Sequence, residues 1–264
     1  MNRARLALAV VACLAAPLAA HAQTAQQELV DRATLAAQDM LNDHDGRDAQ
    51  GVLRQARAVM ICPRVFRAGF LFGAQGGGCV LSARDGGGSW SSPAFYTMGS
   101  GSFGFQAGLQ DSEIMMMIMT NRGLRAIMDD QVKLGADAGA TFAEWGGGIE
   151  GATTAAAGAD IIGFTRSRGL FAGISISGSV LASQSDWNRA YYGREEAAQQ
   201  IVISMDANNP GAAPLREVLG RFGTSLTATP GAMPMADSSY PNPAPQPVAP
   251  IKQQNLPPPS KMRY

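Results

Sequence analysis

The sequence predicts an α+β fold: a mainly antiparallel β-sheet with a barrel-like core and pseudo-repeated Gly-rich hairpins, flanked by N- and C-terminal helices. Three observations carry this. The stretch Val65–Ala83 is two short apolar runs punctuated by glycines, which reads as paired strands with a turn or a close backbone approach. A second copy follows 100 residues later: Gly69, Gly73, Gly78, Val80 and Leu81 recur as Gly169, Gly173, Gly178, Val180 and Leu181. Helical periodicity brackets these runs. Leu29, Ala33, Ala36, Ala37, Met40 and Leu41 share one face of 25–42, and Pro214 suits the first turn of a last helix through Phe222.

Taken in order, the chain opens with Met1-Asn2-Arg3-Ala4-Arg5, an apolar run from Leu6 to Ala20, and Ala20-His21-Ala22. This pattern predicts a secretory signal at 1–22, cleaved after Ala22, and hence a periplasmic or secreted protein. Val10-Val11-Ala12-Cys13 offers an alternative, a lipoprotein anchored through Cys13. The folded domain is expected over 23–222. Helix 25–42 is followed by a polar loop containing His44, a short helix near Asp48–Ala56, and a strand Ala58–Ile61 stopped near Pro63. The polar face of helix 25–42 carries Glu28, Asp31, Arg32 and Asp39, which suits docking on the domain better than membrane seeking.

Ala94–Met98 reads as a strand, and Ile114–Met119 as a central one buried on both faces. Thr120 or Asn121 caps a helix through Met128. Lys133–Phe142, with small residues alternating, reads as one strand, Gly146–Gly158 as a loop and Ala159–Phe164 as a strand. Asp186 caps a short helix carrying Trp187, Ala190 and Tyr191, and another helix is expected from Glu195 to about Ile203. Residues 223–264 hold ten of the fifteen prolines and are expected to be a disordered tail, either a spacer or a ligand for an envelope protein.

Charge narrows the partners. Lys+Arg and Asp+Glu both number 21, and loss of Arg3 and Arg5 with the leader tips the balance acidic, so nucleic acid is not an expected partner. Locally the balance is one-sided: Arg47, Arg54, Arg57, Arg64, Arg67 and Arg84 face one acid, Asp48. Arginine forks suit phosphate, and Phe66, Phe70 and Phe72 add apolar contact beside them. The candidate lipid site is therefore Arg54, Arg57, Arg64, Arg67, Phe66, Phe70 and Phe72. A solvated face whose arginines diverge is the alternative. Cys62 and Cys79, the cysteines left after the leader, are either a disulfide or two small buried residues. No nucleophile–His–acid set and no Cys/His metal spacing is present in the sequence, and no nucleotide loop ends in Lys-Ser/Thr. A non-enzymatic protein without metal or cofactor is expected.

Phe66-Arg67-Ala68-Gly69-Phe70, Gly76-Gly77-Gly78-Cys79-Val80-Leu81, Trp90-Ser91-Ser92-Pro93, Gly101 to Gly108, Ser167 to Gly173 and Asn188 to Gly193 together resemble the SYLF lipid-binding domain family, over about residues 25 to 222. The resemblance implies a domain that binds membrane phospholipids. Its eukaryotic members bind phosphoinositides, and some bind actin. Here the leader and a first helix that is not basic point instead to anionic phospholipids of a bacterial envelope, and actin is not expected. The alternative function is a secreted structural or adaptor protein that holds another envelope protein.

Overall fold

In the computed structural model the described residues are 25–43, 46–103, 108–129, 131–144, 158–169 and 178–224. The expected leader with Cys13, His44, the loop from Gly146 and the Pro-rich tail lie outside them, apart from Gly158 and residues 223–224. Helix α1 covers 25–42 and α2 Arg47–Leu53. Strands β1 (Ala58–Gly69), β2 (Phe72–Ala83), β3 (Ala94–Phe103) and β4 (Gly108–Ile118) follow, then α3 (Asn121–Met128). Short β5 (Gln131–Lys133) and β6 (Ala140–Glu144) precede β7 (Ile161–Gly169) and β8 (Val180–Ser183). Helix α4 (Ser185–Tyr192), a π-helical turn (Gln200–Ser204) and α5 (Ala213–Gly223) close the domain.

The strands form one sheet in the order β5-β8-β3-β2-β1-β4-β7-β6. All its ladders are antiparallel except β6 on β7. Residues 134–139 join β5 at one edge to β6 at the other. That link reaches at most ~25 Å, whereas eight flat strands would extend roughly 33 Å. The sheet therefore curls into a half-barrel, with helices at both ends of the chain packed around it.

Strand alternation makes two cores. Met60, Cys62, Leu81, Tyr96, Met98, Ile114, Met116, Ile118 and Leu181 pack together on one face, with Ile201 and Val202 of the π-helical turn. Val59, Ile61, Val80, Phe95, Met115 and Met117 point the other way, against α1, α2 and α5. The methionine run is thus a central strand buried on both faces. Helix α1 docks through Ala33, Ala36, Ala37, Met40 and Leu41, as its periodicity predicts, and Leu29 stays partly exposed.

Several expectations shift. Pro63 does not stop β1. It sits where the ladder register slips on both sides, between Ile61 and Phe66 toward β2 and between Cys62 and Val65 toward β4, and a bulge tolerates a residue without an N–H. The stretch Lys133–Phe142 is not one strand. The Lys133 N–H donates to Asp137 Oδ2 at 2.7 Å, Gly135 takes φ +90°, and the chain turns before β6 begins. Thr120 is the cap of α3, accepting the Gly123 N–H at 3.0 Å. Helix α4 starts at Ser185, and Asp186 pairs with Arg189 instead of capping. The helix expected from Glu195 begins later, where Gln200 Oε1 accepts the Ala197 N–H at 2.8 Å. The sequence copies also differ in pairing: β1 and β2 form a hairpin, whereas β7 and β8 lie on opposite flanks, beside β4 and β3.

Candidate functional site

The β1–β2 hairpin turns tightly, with Gly69 opposite Gly73. Its tip presents Phe70, Leu71 and Phe72, with Phe72 73% exposed. Leu109 stands beside it, in register with Ala68, and Phe66 lies one step down the strand; both are exposed. Five large apolar side chains thus crown one end of the sheet, an arrangement that marks an interaction surface.

Below the tip, α1 lies across the sheet. The glycines of β2 permit this approach, because a Cβ on Gly78 would come within 3.0 Å of Leu29 Cδ2. Between helix and sheet runs a cleft of ≈ 290 Å³ lined by Arg32, Leu35, Asp39, Arg64, Asp111, Glu113, Arg166 and Arg168, among others. It adjoins a recess of ≈ 460 Å³ lined by Leu29, Pro63, Phe66 and Gly76 to Gly78. Alternation puts Asp111 and Glu113 of β4 on this face, opposite Arg168 and Arg166 of β7. Arg64 Nε donates to Asp111 Oδ2 at 2.7 Å, and Arg166 Nε to Glu113 Oε2 at 2.9 Å. Asp43 stands 3.9 Å from Arg166, and Arg32 pairs with Glu28 one turn back on α1.

The predicted basic cluster divides. Arg64 joins Phe66, Phe70 and Phe72 at the tip half of the sheet. Arg54 ends α2 and Arg57 precedes β1, at the far end of that strand, roughly 35 Å from the hairpin tip along twelve residues. Arg54 bonds Gln50 there, and its carbonyl accepts from Arg84. Arg67 is 6% exposed and lies in register with Gln110, on the opposite face from Phe66. Four arginines that are close in sequence therefore do not form one surface, and β4 acids neutralise the one at the tip. Arg32, Arg166 and Arg168 enter the cleft from other elements. Cys62 and Cys79 are fully buried and disulfide-bonded across β1 and β2, Cα to Cα 4.1 Å.

Among the described residues no three His, Cys, Asp or Glu side chains converge as a metal set. No described helix is long and apolar enough to cross a membrane.

Residues 99–222 match the family Ysc84, described as Las17-binding protein actin regulator. The chain is 32% identical over 173 residues to SH3 domain-containing YSC84-like protein 1 of Xenopus laevis, covering 65% of this chain and 51% of that protein. The human protein of that name is 28% identical over 214 residues, 78% of this chain and 62% of the relative. LAS seventeen-binding protein 3 of Saccharomyces cerevisiae is 29% identical over 171 residues, 64% and 37% respectively. The chain thus spans less than two thirds of each relative's length. No solved structure matches it. The matched family segment contains the β4 and β7 walls of the cleft; α1 and the hairpin tip precede it.

Proposed function

The chain carries a domain of the Ysc84 (SYLF) family, a family of binding or adaptor domains, and from that premise we propose that it docks on a phospholipid membrane of the cell envelope, without catalysis, through the β1–β2 tip. One observation carries the reading: Phe70, Leu71 and Phe72 stand exposed together at the end of the β1–β2 hairpin, beside Leu109. A large apolar side chain removed from water contributes ~1.5–3 kcal/mol. Three or four partly inserted ones supply reversible peripheral binding, comparable in kind to a single acyl anchor. The arginine cleft lies beside the tip, so the same contact brings headgroups to Arg64 and Arg168. Because most of these arginines already hold acids, the apolar contact dominates and salt dependence is shallow.

Vesicle sedimentation tests this. The Phe70→Ser/Phe72→Ser variant is expected to lose at least tenfold in partition to phospholipid vesicles while keeping its thermal transition. Equal partition of variant and wild type would overturn the proposal. A second reading, docking of a protein partner on the tip, draws on relatives named for binding another protein. It predicts an intact protein that ignores vesicles and whose pull-down of one envelope protein the same variant abolishes.

A further inference from the structure

The charges lining the cleft are unequal in one respect: most are already used. Arg64 is held by Asp111, Arg166 by Glu113 with Asp43 nearby, and Arg32 by Glu28. A phosphate that took any of these guanidinium groups would share it with a carboxylate that already offsets its charge, and would gain less than from an unpaired one. Two lining charges have no side-chain partner among the described residues, Arg168 on β7 and Asp39 on α1. Both side chains are exposed, on opposite walls. The cleft thus offers one available cation and one available anion. A purely anionic headgroup would satisfy Arg168 but meet the Asp39 carboxylate.

We propose that this cleft is a headgroup site for a phosphodiester that carries a primary ammonium, the chemistry of glycerophosphoethanolamine, with Arg168 on the phosphate and Asp39 on the ammonium. The volume of ≈ 290 Å³ is just below the ~300–1,000 Å³ of small-molecule sites and suits a headgroup without its chains. A primary ammonium brings N–H donors, so Asp39 gains charge-assisted hydrogen bonds. A quaternary ammonium has none, and no aromatic cage lines the cleft to replace them. The adjoining recess, lined by Leu29, Phe66 and the Gly76 to Gly78 backbone, takes the glycerol end and the first methylenes when the ligand is a lipid. For the lipid source the inference rests on membrane docking through the tip; for the soluble headgroup it does not.

The experiment therefore has two arms. In the first, glycerophosphoethanolamine, glycerophosphocholine and glycerophosphoglycerol are titrated into the full chain and into the Phe70→Ser/Phe72→Ser variant, followed by NMR. Glycerophosphoethanolamine is expected to bind at least fivefold more tightly than the other two, to both proteins alike. Asp39→Asn should erase that preference, and Arg168→Gln should weaken all three ligands at least fivefold; both residues are exposed, so the fold survives. Equal binding of the three, or a preference that outlasts Asp39→Asn, would overturn the cleft assignment. In the second arm, vesicles of phosphatidylcholine are compared with vesicles half phosphatidylethanolamine. Enrichment on the latter, lost in Asp39→Asn, identifies the lipid as the source. Soluble binding with no vesicle binding would refute the tip docking and leave the cleft standing. Vesicle binding without headgroup discrimination would do the reverse.

Discussion

The guanidinium of Arg84 donates to the carbonyl of Gly223 at 2.8 Å, joining the end of β2 to the last residue of α5. The same side chain donates to the Leu53 and Arg54 carbonyls, at 2.9 and 2.8 Å, where α2 ends. It also stacks 4.6 Å from the Trp90 ring centroid. One cation thus serves the carbonyl ends of two helices, where Leu53 otherwise accepts only the Ala56 N–H at 3.2 Å. Arg84→Met is expected to lose about 2–4 kcal/mol in urea unfolding, because hydrogen bonds to a charged group contribute about 1.5–3 kcal/mol each and do not add fully. Arg84→Lys, which keeps the charge without the fork, should fall between.

That bond bears on where the chain can be truncated. The sequence places the domain boundary after Phe222, but α5 runs to Gly223 and the Thr224 N–H donates to Gly220 at 3.1 Å. A chain ending at Thr224 should unfold cooperatively with a higher urea midpoint than one ending at Phe222. Identical midpoints would show that Gly223 contributes nothing.

Cys62 and Cys79 close a loop with a sequence separation of 17. Cys62 and Cys79 should show no free thiol after denaturation without reductant. The Cys62→Ser/Cys79→Ser variant should lose about 3 kcal/mol by the chain-entropy relation, and full labelling of both cysteines in the native protein would remove the bond from the account.

Asp160 is 2% exposed and accepts from Arg122, from the Thr120 hydroxyl and from the Gly139 N–H. The Arg122 hydrogen bond is the main cause that holds its carboxyl at about 2, below the usual 3.8. A pKa depressed on folding stabilises the protein above the unfolded value, and the gain disappears as pH falls from about 4 through 2. Asp160→Asn should therefore cost about 1–3 kcal/mol at pH 7 and progressively less toward pH 2. A penalty independent of pH would mean that the charge is irrelevant and only shape matters.

Arg54 and Arg57 lie at the far end of β1 from the tip. The Arg54→Gln/Arg57→Gln pair should sediment with vesicles as the wild type does, whereas Arg64→Gln should produce a small change, about twofold, because Asp111 already neutralises that charge. A large loss in the first variant would place the membrane contact at the wrong end of the sheet.

Local patterns were readable in the chain. The Gly-punctuated hairpin, the apolar β4 run, the buried stripe of α1 and the cysteine pair each depend on residues close in sequence or on a period of 2 or 3.6. The site was only half readable. Whether Arg64 and Arg67 share a face depends on the bulge at Pro63 and on parity beyond it, and composition carries neither. Arg166 and Arg168 had a usable signal: two cations at alternate positions on one strand answer Asp111 and Glu113 at alternate positions on another. Recognising it requires the β4–β7 register. The division of 131–144 into two edge strands was hidden because alternating small residues fit a strand as well as a turn flanked by strands.

The two strands at the margins of the sheet are among its shortest, three residues in β5 and five in β6. A strand of another chain could therefore recruit only a few hydrogen bonds by adding to either margin. The 134–139 link draws those margins toward each other, which narrows the approach further. A protein that exposes a hydrophobic hairpin tip thus offers little template for cross-β growth. Crowding at high concentration should produce tip-to-tip clusters that detergent disperses, and not fibrils that bind thioflavin.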